Sequence, residues 1–160
     1  MTLPFYTIGH SNRTLDEFME ILDAVDIAYE HIAALGGLRG KSRGVPDEIN
    51  GFWTNRSFDR YADYALSPEF RAGLDRLVVQ RHRQRCAIMC SEAVWWRCHR
   101  RIVSDYLIAR GETVLHIMGP NRVEPARLTA GAVIRDDGTT VYPDVEGDAP
   151  ADEAGAQPNA

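Results

Sequence analysis

Cysteine is scarce in this chain: Cys86, Cys90 and Cys98 are the three among 160 residues. So small and odd a set builds no disulfide framework, and the thiols are expected to be reduced, as in a cytoplasm. Long apolar runs are missing as well. None approaches the ~20 residues that a membrane-spanning helix needs. The opening MTLPFYTIGH has neither a basic start nor a sustained apolar stretch, so no secretory signal is visible. Positive charge is not in surplus either, since 18 Lys+Arg against 23 Asp+Glu leave a net charge of −5. That balance speaks against a generally basic nucleic-acid binder, although it leaves room for a local basic patch. There is no internal repeat. With 44% hydrophobic and 26% charged residues, the expectation is one soluble domain long enough to bury a core.

What is present alternates between strand and helix. Phe5–Gly9 reads as a short buried strand, and His10-Ser11-Asn12 as the loop after it. Thr14 with Glu17 forms a capping box for a helix whose inward stripe is Leu15, Phe18, Met19, Leu22 and Val25. Residues Ile27–Ile32 read as a strand, and GGLRGKSRGVP, Gly36–Pro46, as a flexible basic loop. A helix from about Ser57 faces Phe58, Tyr61, Ala62 and Ala65 inward. Ser67 caps a second one, with Pro68 in its first position and Phe70, Leu74, Leu77 and Val78 inward. Cys86–Cys90 has strand length. A helix resumes near Trp95, carries Ile102, Val103, Tyr106 and Leu107 inward, and ends at Gly111. Thr113–Met118 is a further strand, and Asp136-Asp137-Gly138 turns a hairpin between Ala132–Ile134 and Thr139–Tyr142. These elements predict one α/β domain over residues 1–143: a mostly parallel sheet flanked by helices, with a C-terminal β-hairpin. Residues 144–160 read as a disordered acidic tail. Ligands of such sheets sit beyond the carboxyl ends of the strands. His10, the Cys90-Ser91-Glu92 loop and Gly119-Pro120-Asn121 are therefore expected on one rim.

The chemistry is concentrated in CAIMCSEAVWWRCHRR, Cys86–Arg101, which holds every cysteine of the chain. A cysteine near a helix start and near cations is favoured as thiolate, which points to Cys98 beside Arg97, Arg100 and Arg101. Cys90 ends a strand, Glu92 offers an acid or base, and Arg97 and Arg100 offer bidentate anion binding. His10 and His99 complete the candidate catalytic set of Cys90, Glu92, Cys98, His99 and His10. Ser11, Trp96, Arg97, Arg100 and Arg39 are the candidate ligand-binding residues. Each has a plainer reading. Cys86 reads as core, Cys98 is balanced between core packing and chemistry, the tryptophans read as packing, and helical arginines often form a solvated face. No cofactor motif is present. Zinc held by Cys90, Cys98, His99 and His10 is the weaker reading: there is no C-x-x-C, and neighbours Cys98 and His99 would diverge on a helix.

TIGHSNRTLDEFMEIL, the LGG at Leu35–Gly37 and CSEAVWWRCHRRIVSDYLIARG together resemble the bacterial family called domain of unknown function 488. The likeness runs from Phe5 to about Pro143. It implies an α/β domain with an enzymatic polar cluster and no established substrate. The motif positions it marks here are Gly9, His10, Ser11, Cys90, Glu92, Trp96, Arg97, Cys98, His99 and Arg100. One block of the family pattern is absent: a strand ending in Asp-x-Arg, followed by a Pro-x-Ser loop and a helix. Here Asp23-Ala24-Val25-Asp26 runs almost directly into Ile27. Either Arg39 or Arg43 substitutes for the lost arginine, or activity is lost. The expected function is an enzyme, or degenerate enzyme, with a Cys/Glu/His/Arg pocket for a small anionic, nucleotide-like ligand. A nucleic-acid-binding module using Arg39, Lys41, Arg43, Arg97, Arg100 and Arg101 is one alternative, and an inactive remnant is the other.

Overall fold

Strand β1 (Phe5–Gly9) lies inside a four-stranded sheet, between β2 (Ala87–Cys90) and β3 (Val114–Gly119). Both neighbours run parallel to β1, and β4 (Arg122–Pro125) pairs antiparallel with β3, giving the order β2-β1-β3-β4. The structure is a computed structural model and describes residues 3–24 and 26–144. The expected inward position of Val25, and the tail from residue 145 onward, lie outside the described residues.

The sheet has one deeply covered face. Alternate residues of a strand share a face, and the register sets Phe5 beside Val114 and Thr7 beside His116. All four are buried, whereas Tyr6, Ile8, Leu115 and Ile117 are half-buried. The same register pairs Gly9 with Cys90, which places Cys90 on the covered face. Above it pack α2 (Arg56–Tyr64), α3 (Pro68–Arg83) and α4 (Arg100–Ala109). Tyr61, Phe70, Leu74, Ile102, Val103 and Leu107 join Phe5 and Val114 in one core. Each helix start has a chemical reason. The Asn55 side chain accepts from Ser57 N at 2.8 Å, and Ser67 Oγ accepts from Phe70 N at 3.2 Å with Pro68 in the first turn. At α1 (Leu15–Ala24) the capping box forms as read: Thr14 N donates to Glu17 Oε2 at 2.7 Å and Glu17 N to Thr14 Oγ1 at 3.2 Å.

A two-stranded hairpin follows, β5 (Val133–Ile134) with β6 (Thr140–Val141), turned at Gly138 with φ 81°. It is bound to the core through Tyr142, whose N–H donates to Asn50 Oδ1 at 3.0 Å and whose hydroxyl donates to Asp105 Oδ2 at 2.9 Å. The chain is thus a single α/β domain with a mostly parallel sheet flanked by helices and a C-terminal antiparallel hairpin. Among the described residues no helix is long and apolar enough to cross a membrane.

Local expectations change in several places, beginning with Leu15, read as inward on α1 but 46% exposed. Residues 27–32 form no strand: Asp26, at φ 57°, ends α1 in a left-handed cap, with Asp26 N bonding Asp23 O and Ile27 N bonding Leu22 O. The segment then runs over the surface with Ile27 54% exposed. The helix expected from Trp95 is instead a 3₁₀ turn, Trp95–Arg97, broken at an extended Cys98 before α4 begins at Arg100. Strand β4, short and charged, carries no apolar alternation that would have announced it.

Candidate functional site

Because β1, β2 and β3 are parallel, their carboxyl ends share one rim. His10 N donates to Cys90 O at 2.9 Å, so the loop after β1 is bound to the loop after β2. Gly9 makes this approach feasible, since a Cβ there would collide with the backbone of Glu92 and Ala93.

The break at Cys98 is what assembles the site. On one continuous helix Cys98 and His99 would diverge. On the extended residue preceding α4, both turn towards β2, and one ligand atom each from Cys90, Cys98 and His99 lies within 4.8 Å of the others. The divergence expected of Cys98 and His99 is therefore absent, because neither lies within the helix. Arg100 fixes the arrangement. It is 1% exposed, and its Nε donates to Cys98 Sγ at 3.0 Å, its backbone N to the same sulfur at 3.4 Å, and Nη2 to Glu92 O at 2.5 Å. One guanidinium so ties the loop after β2 to the start of α4. Arg100 is not an exposed anion ligand, as the sequence suggests, but an internal clamp.

His99 is seated from the other side. Its ring rests on Gly37, where any Cβ would collide with the imidazole, and lies 5.1 Å from the Tyr61 ring. The loop carrying Gly37 is held by Tyr61, whose hydroxyl donates to Leu35 O at 2.7 Å, and by Tyr64, whose hydroxyl donates to Ala34 O at 2.8 Å. Arg39 lies over the Tyr64 ring at 3.8 Å and donates to Gly36 O at 3.0 Å and Ala33 O at 2.6 Å. Much of its role is thus to brace the backing of His99.

Electrostatics divide the two sulfurs. Cys90 is held well below the ordinary thiol range by hydrogen bonds from the Cys98 thiol, from His99 and from the Glu92 backbone N–H, against the opposing effect of burial. Cys98, which gives that proton to Cys90 and is itself buried, is pushed up in spite of Arg100. Within this pair the electrostatics favour Cys90 as the thiolate, where the place near a helix terminus had pointed to Cys98. Cys86 is pushed up by burial. It lies about 13 Å from Cys90 along the chain direction, at ~3.3 Å per strand residue.

Two open clefts adjoin this centre. The first, about 400 Å³, is lined by Ser11, Asn12, Ser91, Glu92 and Ala93, with Ser11 in the left-handed region at φ 60°. The second, about 390 Å³, is lined by Gly37, Leu38, Arg39, Gly40, Ser57 and Arg60. Of the expected site residues, Cys90, Cys98 and His99 come together, Glu92 and Ser11 line the first cleft, and Arg39 lines the second. His10 shares the rim, but its ring packs against Phe18 at 5.7 Å and its Nδ1 is buried without a hydrogen-bond partner. Trp96 packs edge-on against Trp95, and Arg97 is exposed. Part of the basic set proposed for nucleic acid makes contacts within the protein, while Arg43 and Arg97 are exposed. Arg39 and Arg100 are engaged as above, Arg101 lies over Trp53 and bonds Thr129 Oγ1, and Lys41 pairs with Asp47.

Sequence reasoning gave no site role to Gly37, Tyr61 or Arg60. The Gly-Gly pair was the available signal for the first. His116 is structural: its Nδ1 shares a 2.7 Å hydrogen bond with Thr7 Oγ1, Trp95 stacks on it at 4.3 Å, and burial, with Arg100 nearby, lowers it to about 4.

No curated protein and no solved structure matches this chain. A family profile described as Domain of unknown function DUF488 matches residues 11–107, from the loop after β1 into α4. This stretch is more than half of the chain and contains Cys90, Cys98, His99 and Arg100, so the protein belongs to the DUF488 family.

Proposed function

We propose that this protein is an enzyme whose reacting group is the Cys90 sulfur, acting on a small substrate with an anionic group. The observation that carries this reading is the convergence of Cys98 and His99, each with an atom within 4.8 Å of the Cys90 sulfur, on a half-buried cysteine at a parallel strand's carboxyl end. The residues directly after Cys90 line one cleft, and Gly37, which backs His99, lines the other. Arg39 and Arg60 in the second cleft supply charge for the anionic group. In the first step a sulfur–substrate bond forms while the leaving group departs with the bonding pair and takes a proton from solvent in the open cleft. Water then attacks the substrate and breaks the sulfur–substrate bond, its proton passing by way of the Glu92 carboxylate to solvent, which restores the thiolate. Cysteines without disulfides suit this chemistry in a reducing compartment such as the cytoplasm.

The test is competitive labelling of the folded, metal-free protein with iodoacetamide, read by peptide mass spectrometry. Cys90 should acquire the adduct first, with Cys98 and Cys86 lagging until the chain is denatured. Cys86 or Cys98 reacting as fast as Cys90 would remove the reading. Inorganic phosphate should raise the melting temperature, and Arg60→Ala should abolish that rise. An unchanged rise would place the anion elsewhere.

A further inference from the structure

The Cys90 sulfur and two of the groups around it, the Cys98 thiol and His99, are also a ligand set. We infer that Cys90, Cys98 and His99 form a three-ligand site for a thiophilic divalent cation of the zinc class, with the fourth coordination position left open. The sites lie close enough for one centre. Tetrahedral coordination with metal–sulfur bonds near ~2.3 Å and metal–nitrogen bonds near ~2.0 Å requires ligand atoms about 3.5–3.8 Å apart. The observed ligand atoms all lie within 4.8 Å of one another, so a contraction of about 1 Å suffices.

The donor chemistry selects the cation class. Two sulfurs and an imidazole favour soft or borderline metals, and no carboxylate belongs to the group, which disfavours magnesium and calcium. Two thiolates also balance a divalent charge. The surroundings fix the ligands in the manner of an outer shell. Arg100 donates twice to Cys98 Sγ, the Glu92 N–H reaches Cys90, and His99 is set between Gly37 and Tyr61. Among the described residues the group numbers three, and three protein ligands with one open position is the arrangement of a reactive centre rather than of a closed structural one. His10, weighed as a fourth ligand from the sequence, is not in the group, as its ring packs against Phe18.

This site stands on ligand geometry and does not require Cys90 to be a nucleophile. When the cation is bound the Cys90 sulfur is a ligand, so binding and alkylation exclude one another. The experiment titrates chelator-treated, reduced protein with Zn²⁺ against a chromophoric chelator, and separately with Co²⁺ followed by visible absorption. One equivalent should bind, and the cobalt form should show thiolate charge-transfer bands with the intense d–d bands of a tetrahedral site. Cys98→Ser and His99→Gln should each weaken Zn²⁺ binding roughly tenfold or more, while Cys86→Ser leaves it unchanged. Absence of stoichiometric binding, a weak octahedral cobalt spectrum, or affinity indifferent to both substitutions would overturn the site. The wild-type cobalt spectrum decides the matter even where a variant fails to fold. Alkylation in the same samples keeps the two readings apart. Cation binding with slow metal-free labelling of Cys90 defeats only the nucleophile, and fast labelling without binding defeats only the metal.

Discussion

Arg100 shows how far a single side chain can differ from its sequence reading. Beside Arg97 and Arg101 it looked like a charged, solvent-facing anion ligand, yet it is 1% exposed and bonds one sulfur and the Glu92 carbonyl. Charged residues are almost never so buried unless paired, and nothing in a row of arginines says which one is. Arg100→Ala should therefore lower unfolding stability by about 3 kcal/mol or more, because it opens a cavity and leaves the Glu92 carbonyl without its donor. In denaturant unfolding, a solvated arginine would instead change it by less than ~0.5 kcal/mol. Asp105 offers a second residue-level test. It accepts from Thr129 N and from the Tyr142 hydroxyl, each at 2.9 Å, yet burial raises it to about 6, with Arg101 opposing weakly. A carboxyl raised above its unfolded value binds its proton more tightly in the folded state. Its contribution is complete below pH ~4 and is lost as the pH rises through about 6. At ~1.4 kcal/mol per pH unit this amounts to about 3 kcal/mol across that span. Asp105→Asn should flatten stability between pH 4 and 6.5, and a persistent slope would assign it to another group. Neither Arg100 nor Asp105 could be read as buried from the sequence, because burial of a polar residue is decided by how the surrounding chain packs over it.

At the level of elements, the legible parts were those with local causes. The capping box at Thr14, the Ser67-Pro68 start of α3, the Gly111 end of α4 (φ 80°) and the Gly138 turn each rest on chemistry within a few residues. Ser67→Ala should thus cost about 1 kcal/mol in thermal or denaturant unfolding, and a cost near zero would mean that tertiary packing alone holds that end. What failed depended on the surroundings. Ile27–Ile32 has strand composition, but β1 already has β2 and β3 as neighbours, and no strand of the sheet pairs with this segment. The break at Cys98 was equally hidden, since WWRCHRRI continues a helical pattern through it. It is stabilised by contacts outside its own sequence, where His99 sits on Gly37 and Arg100 reaches Glu92. Gly37→Ala tests that dependence. The added methyl meets the imidazole, so it should displace His99 and cost about 1–3 kcal/mol as an overpacked contact. Unchanged stability together with an unchanged His99 resonance would show that the loop yields freely.

For the whole molecule, alternation of strands and helices was enough to give the α/β class, but it did not show what closes the core. The family match ends at residue 107, inside α4, whereas the buried core also takes Val114 from β3 and Tyr142 from beyond the hairpin. Tyr142 makes several long-range links. Its ring lies 5.0 Å from Trp53, its N–H meets Asn50, its hydroxyl meets Asp105, and Phe52 N donates to its carbonyl at 3.0 Å. Asn50 in turn donates to Asp63 in α2 at 2.9 Å, so one residue connects the segment after β6 to α2, to α4 and to the loop that precedes α2. A chain ending at Gly131 keeps the whole family-matched region and the Cys90–Cys98–His99 centre, but lacks these contacts. It takes one hydrogen-bond partner each from the buried Asn50 and Asp105, and it opens the aromatic cluster of Trp53 and Phe58. Losing two buried polar partners at about 1–3 kcal/mol each, together with a buried aromatic at about 3–5 kcal/mol, is comparable to the stability of an ordinary domain. The 1–131 chain should therefore show no cooperative melting and a reduced near-ultraviolet aromatic signal. Tyr142→Phe in the full chain should fold and lose only about 1–2 kcal/mol, since it removes the hydroxyl and keeps the ring. If 1–131 melts cooperatively at the wild-type temperature, the hairpin is an appendage and the matched region alone is the folding unit.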